Sequence, residues 1–432
     1  MIIDSIDFFY GSMPEVTLEA DGSQDALLVR VATDDGSVGW GECEASPLVS
    51  IAAFVAPRSH GVCQPVSASV IGQRIDGVAD IERLTRLVGR NSMDLLQAAH
   101  TWSGIEIALW DLLGRRLGEP VWRLLGYERS HPKVPYASML MGDSPQLTLE
   151  RAREARARGF LAVKVGWGGY GTGTAREDAD HVAAAREGVG PDGVLLVDAG
   201  QIWVDDLEAA AARLAALQAA DALWLEEPFV PYAFGAHARL AELAGSVGIA
   251  GGEGAHNPHM AINLIELGGV RFIQVDAARI GGIGPARQVA DVALASGVTY
   301  VNHTFTSHLA LSASLQPFAG LATHRICEYP AEPKQLALDL SRQHIALDAN
   351  GEIAAPDAPG LGIDVDPAGL SPYLRDVEIL VDGRTLFASP SLPGEPARAR
   401  LAATTARPAA TTTAPASGPA TPSVLDPSRA LQ

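Results

Sequence analysis

The chain has 432 residues, 47% of them hydrophobic, and a formal charge of −19. That length fills a barrel of about 250 residues and leaves enough for a second unit. The charge excludes partners that bind by releasing phosphate counterions, so neither nucleic acid nor an anionic membrane surface is expected.

The N-terminus, MIIDSIDFFYG, reads as a strand; it has acids and no basic segment of the kind that opens a signal peptide. No stretch approaches 18 uninterrupted apolar residues, so no membrane span is expected. DALLVRVATDDGSVGWGE reads as two strands joined at Asp34-Asp35-Gly36-Ser37, since Asp-Gly favours a hairpin, and the three strands form a small antiparallel sheet. Residues 42–66 mix Gly, Pro and Ser with apolar side chains and read as a loop packed on something, a lid together with residues 11–17. From about Asp80 to Leu117 the pattern is helical, with Ser92 as an N-cap and Leu95, Leu96, Ile105, Leu109 and Leu112 in apolar stripes. Cys43, Cys63 and Cys327 are odd in number and lack CxxC spacing, which points away from disulfides or zinc and fits a reducing, cytoplasmic setting.

From Val134 a strand-helix alternation begins. VPYASML, LAVKVGW, VLLVDAG, LWLEEPF, IAGGEG, RFIQVDA, TYVNHT and RICEYP are eight strands, separated by amphipathic segments such as Thr148 to Arg158 and Gly284 to Ser296. Seven of them end on a polar residue: Lys164, Asp198, Glu226, Glu253, Asp276, His303 and Glu328. Glu226 follows Asp198 by 28 residues, and Glu253 follows Glu226 by 27, the size of one βα unit. The expected fold is α/β, a (β/α)7β modified TIM barrel at 131–330 under an α+β capping domain at 1–130. Residues 331–390 return to that cap: PGLGIDVD and VEILVDGRTLFASPSL read as strands that join its sheet. Residues 391–432 are rich in Ala, Pro and Thr without periodicity and read as a disordered tail.

Strand ends of a barrel converge at its carboxyl-terminal face, where active sites lie. Each of Asp198, Glu226 and Glu253 alone reads equally well as an N-cap of the following helix. Three in phase place carboxylates at one point, which needs a cation, and an all-oxygen set suits Mg2+ or Mn2+. Asp276 stands beside His303 and orients the imidazole, raising its pKa. Lys164 lies across the metal from His303, and Glu328, if protonated, donates a hydrogen bond to an enediolate. Such a set removes a proton next to a carboxylate.

With these motifs in order, GFLAVKVGW, LLVDAG, WLEEP, GGEG, VDAARIGG and VNHTFTSH, preceded by GIEIALWDLLGRRLGEPVWRLLG, the chain resembles the enolase superfamily and, within it, the mandelate racemase subgroup over residues 1 to about 385. The resemblance implies Asp198, Glu226 and Glu253 as Mg2+ ligands, Asp276 and His303 as a catalytic dyad, Glu328 as the electrophilic partner, and a homo-oligomer. The sequence departs from that pattern where the usual Lys-x-Lys is Lys164-Val165-Gly166. A racemase needs a base on each face of its substrate, whereas a dehydratase manages with His303 alone, with Lys164 as a cation for the substrate carboxylate and Gly166 opening room beside it. A second departure is Gly200, where the family often has an amide; Gln201 replaces it. Trp167, Tyr170, Trp203 and Arg279 are further candidates for the substrate pocket. The expected activity is dehydration of an aldonate or aldarate, a small-molecule carboxylate, to a 2-keto-3-deoxy acid. Racemisation or epimerisation of a 2-hydroxy carboxylate is the alternative, and a non-catalytic metal- or acid-binding barrel the second.

Overall fold

In the computed structural model, which describes residues 1–19 and 21–392, β1 (Ile3–Ser12), β2 (Asp25–Thr33) and β3 (Val38–Cys43) form an antiparallel sheet in that order. The hairpin falls at the Asp-Gly turn the sequence predicts. The helix Ala98–Leu117 lies directly on this sheet. Gly41 permits the approach: a Cβ there would stand 2.2 Å from the Gly104 carbonyl oxygen.

Three expectations for this region fail locally. Residues 42–66 are not one loop, because Pro47–Val55 is a helix whose Ile51, Ala53 and Phe54 are buried; Pro47 sits in its first turn, where a missing N–H costs nothing. Ser92 does not start a helix. It terminates the helix Val78–Asn91 and gives its hydroxyl proton to Gln64 O at 2.7 Å. Leu96, placed in a stripe by its spacing, lies in the break before Ala98 and is 92% exposed.

The barrel follows the eight predicted strands: β4 (Val134–Ser138), β5 (Ala162–Val165), β6 (Val194–Asp198), β7 (Ala222–Glu226), β8 (Gly248–Gly251), β9 (Phe272–Asp276), β10 (Thr299–His303) and β11 (Ile326–Pro330). All pairs are parallel, in the order β10-β9-β8-β7-β6-β5-β4-β11. The Asn302 side chain bridges the β10/β11 seam, accepting from the Glu328 amide at 2.9 Å. Tyr136, Ala162, Leu196, Trp224, Ala250, Phe272 and Val301, one from each of seven strands, plug the interior.

Side chains alternate along a strand, so the residue two places beyond each plug residue also points inward. Ala162 leads to Lys164, Leu196 to Asp198, Trp224 to Glu226 and Val301 to His303. The apolar plug and the polar site are therefore the same face of the same strands.

The C-terminal segment departs from expectation. PGLGIDVD makes only isolated bridges, Pro120 with Gly360 and Ser341 with Val365. β12 (Glu378–Val381) and β13 (Arg384–Ala388) pair with each other in a separate two-stranded sheet and do not extend the N-terminal one. The segment meets the cap at isolated points instead: Leu374 bridges Gly11 at the edge of β1 with the Arg375 amide donating to Tyr10 O at 2.8 Å, Arg115 reaches Asp364 at 2.9 Å, and Asp111 accepts from the Leu361 amide at 2.9 Å. Loop geometry with φ-positive glycines at 360 and 362 leaves no extended run to pair. The expected disordered tail from residue 393 onward lies outside the described residues. Among those described, no helix is long and apolar enough to cross a membrane.

Candidate active site

The register brings the predicted side chains to one end of the barrel. Asp198 faces Glu226 across β6/β7, and Asp276 faces His303 across β9/β10. None of Lys164, Asp198, Glu226, Glu253, Asp276, His303 and Glu328 is more than 6% exposed.

Lys164 stands inside the acidic cluster. Its Nζ lies 3.0 Å from Asp198 Oδ2, 2.5 Å from Glu226 Oε1 and 3.0 Å from Glu328 Oε1. Burial opposes the ammonium, but Asp198, Glu226 and Glu328 together outweigh it and hold its pKa well above the usual lysine value. Burial and mutual repulsion push the carboxyls of Asp198 and Glu226 upward.

His303 Nδ1 donates to Asp276 Oδ2 at 2.6 Å, and Asp276 Oδ1 accepts from the Ala278 amide at 2.6 Å. The other ring nitrogen, Nε2, lies 3.3 Å from Glu253 Oε2 and 3.8 Å from Glu328 Oε2. Burial disfavours the imidazolium, yet Glu253, Glu328 and Asp276 push the pKa up to about 10. Glu328 is correspondingly ionised. Burial alone would raise it, but Lys164, His303 and the Thr304 amide at 2.8 Å hold it below the usual carboxylate range. The protonated form from which Glu328 would donate a hydrogen bond is disfavoured by these cationic neighbours.

Gly166 does not open room. Its φ is +142°, and a Cβ there would lie 2.0 Å from the Asp198 carbonyl oxygen. The β5/β6 backbone packing leaves no space for a side chain here, so the second lysine of the Lys-x-Lys pattern has no counterpart at this position.

The remaining candidates separate by burial. Trp167 follows β5, is 39% exposed, and lines a cleft of about 930 Å3 with Leu18, Met141 and His181. Trp203 and Tyr170 are buried and meet edge to face at 5.9 Å; Trp203 also stacks under Arg213 at 5.3 Å, so these two rings anchor loops. Gln201 adopts a left-handed backbone, φ +65°, and donates through Nε2 to Glu227 Oε2 at 2.7 Å. Arg279 reaches Glu44 Oε1 at 2.9 Å and Glu253 Oε1 at 3.4 Å.

Sequence reasoning missed four buried carboxyls near this end of the barrel. Glu227, the second acid of WLEEP, is pushed up to about 8 by burial and by Glu253. Glu42 and Glu44 end the cap sheet: Glu42 accepts from Ser307 Oγ, and its burial raises it to about 7. Glu106, on the Ala98–Leu117 helix, accepts from the Ile283 and Gly284 amides at 2.7 and 2.8 Å. The one local signal was the pair of acids two residues apart in WGECEAS, at the end of β3 and just beyond it.

Carboxyls thus outnumber Lys164, Arg279 and His303 in a buried space, and Asp198 Oδ2 and Glu328 Oε1 accept no hydrogen bond although each lies beside the ammonium. An all-oxygen donor set with unsatisfied negative charge fits a hard divalent cation. Among the described residues no three His, Cys, Asp or Glu side chains stand at ligating spacing; the Lys164 ammonium contacts Asp198 and Glu226, and Glu253 faces His303.

A capped (β/α)7β barrel with acidic strand ends and a His-Asp pair defines an enolase-type barrel. Residues 14–126 match the mandelate racemase / muconate lactonizing enzyme N-terminal domain, and residues 148–369 match the enolase C-terminal domain-like family. The chain belongs to the mandelate racemase / muconate lactonizing enzyme family of the enolase superfamily. It is 31% identical over 363 residues to D-galactarolactone cycloisomerase of Agrobacterium fabrum, covering 80% of this chain and 90% of that protein. To 3,6-anhydro-alpha-L-galactonate cycloisomerase of Streptomyces coelicolor it is 33% identical over 361 residues, 79% and 89% of the two chains. A crystal structure described as a predicted mandelate racemase from Rhodobacter sphaeroides superposes with a TM-score of 0.87 at 65% identity, over 90% of this chain and 100% of that one. Sugar-acid dehydratases and a racemase also stand among the relatives.

Proposed function

We propose that this chain is a one-base β-eliminase of a sugar acid, in the first instance a hydro-lyase. Its own residues supply the proton work. His303 Nε2 takes the proton α to the substrate carboxylate; the carbon–oxygen bond at the β carbon then breaks, and the same imidazolium returns the proton to the departing oxygen. With a hydroxyl as leaving group, water is lost and the enol becomes a 2-keto-3-deoxy acid. Lys164 binds the substrate carboxylate. Asp276 keeps Nδ1 protonated so that Nε2 faces the substrate. Asp198, Glu226 and Glu253 would hold Mg2+, which supplies positive charge where the enediolate develops. Once Glu253 is committed there, His303 loses the largest charge that holds its proton.

The observation that supports this reading is Gly166, packed on Asp198 with no room for a side chain, beside a Lys164 ammonium engaged by three carboxylates; we assign the base to His303 and the carboxylate-binding role to Lys164. A second reading is favoured by the two cycloisomerases that match about four-fifths of this chain at 31% and 33% identity: if the leaving oxygen belongs to a lactone or anhydro ring, the same steps open the ring with no loss of water, a cycloisomerisation. Incubation with Mg2+ and a library of aldonates, aldarates, their lactones and anhydro acids, with mass detection of 2-keto products, tests both. Loss of water marks dehydration, an unchanged mass marks ring opening. His303→Asn lowers turnover by about 10^3 to 10^4-fold; activity retained within about 3-fold in this variant sinks the mechanism.

A further inference from the structure

The loop after β9, residues 276–284, carries the partner of the base, yet much of its support comes from the cap. The Glu44 amide donates to Ala278 O at 3.3 Å, and the Glu44 carboxylate takes Arg279 Nη2 at 2.9 Å. Ser103 Oγ accepts from the Gly281 amide at 2.8 Å, and Glu106 holds the amides of Ile283 and Gly284.

Arg279 then forks into the site. Nη1 is 3.4 Å from Glu253 Oε1, and Nε is 3.9 Å from Asp276 Oδ2, an ion pair in which Nε makes no hydrogen bond. These are the same two carboxylates that flank His303, Asp276 at Nδ1 and Glu253 at Nε2. One planar cation therefore stands behind both, its third corner fixed by Glu44 from the other domain. A guanidinium does this better than a point-charge ammonium, because its donors keep a fixed angular spread. With both terminal nitrogens engaged, Nη2 by Glu44 and Nη1 by Glu253, Arg279 is poorly placed to clamp a substrate anion.

We propose that Arg279 is a positioning residue for the His303–Asp276 pair and that Glu44 sets where Arg279 stands, so that the cap takes part in aligning the base. The kinetic part rests on His303 being that base. The test uses the full chain with Glu44→Gln, Arg279→Met and Arg279→Lys. Each variant is checked for folding by thermal denaturation. The downfield proton resonance of His303 Nδ1–H, assigned by its loss in His303→Asn, reports the pair directly and needs no substrate or metal.

Folded Glu44→Gln and Arg279→Met are expected to shift or broaden that resonance and to lower kcat about 10- to 100-fold with KM changed less than about 3-fold. Arg279→Lys recovers part of both. An unchanged resonance in the folded variants overturns the proposal, as does a loss confined to KM, which would make Arg279 a substrate contact. Should Arg279→Met fail to fold, Glu44→Gln and Arg279→Lys decide. Should no sugar acid turn over, the functional reading falls while the resonance still tests the positioning.

Discussion

The two sides of the barrel mouth are built on different principles. On the β5–β7 side, Lys164, Asp198 and Glu226 balance one another from neighbouring strands, and the arrangement is a matter of charge. On the β9–β10 side, Asp276 and His303 form a directed hydrogen bond, and the loops that follow them are held by Glu42, Glu44, Ser103 and Glu106 of the cap. A charge balance can be re-made around another cation without exact geometry. Proton transfer tolerates much less, since its groups must stand within about half an ångström of their working positions. The braced side is the side where geometry matters.

The largest expected break falls on the charge side. Lys164→Met leaves Asp198, Glu226 and Glu328 without their shared cation, and removing one partner of a buried ion pair costs about 3–5 kcal/mol. Denaturant unfolding without divalent ions should show this loss, and Mg2+ should recover much of it. A variant as stable as the parent in both conditions would show that Lys164 is not the balancing charge.

On the braced side the next effect is one of pH. Glu42 is fully buried and its folded pKa, about 7, lies above the ordinary 4.5. The folded state therefore binds the proton more tightly, so the stability it contributes is complete below about pH 4.5 and is lost as pH rises through 7. That difference corresponds to at most about 3 kcal/mol. Unfolding free energy should fall between pH 5 and 8, and Glu42→Gln should flatten the fall. Glu106, also raised to about 7, and Glu227, raised to about 8, add to the same fall. An equal slope in the variant would remove Glu42 from the account.

The smallest effect sharpens the comparison at the rim. Trp167→Ala on the charge side should change stability by no more than about 0.5 kcal/mol, since the ring is partly exposed. A larger loss in a thermal melt would mean that this rim is structural too.

The candidate site was legible because two periodicities coincide. Repeats near 27 residues mark the βα units, and the two-residue alternation of each strand carries its inward face from the apolar plug to a polar end, so Lys164, Asp198, Glu226, Asp276, His303 and Glu328 announce themselves locally. The helix at Pro47–Val55 was hidden by the Gly, Pro and Ser around it, and the hairpin of β12 and β13 offered strand residues without saying which strand they would meet.

The sequence by itself determined the barrel, its strand ends and the absence of a second lysine at Gly166. Tertiary structure decided the rest: that Gly166 is pinned against Asp198, that Lys164 sits among three carboxylates, that Trp203 is an anchor, and that Glu44 reaches Arg279. The physical reason is range. Strand alternation is written in residues two apart, whereas Glu44 and Arg279 are 235 positions apart and meet only because the cap is seated on the barrel.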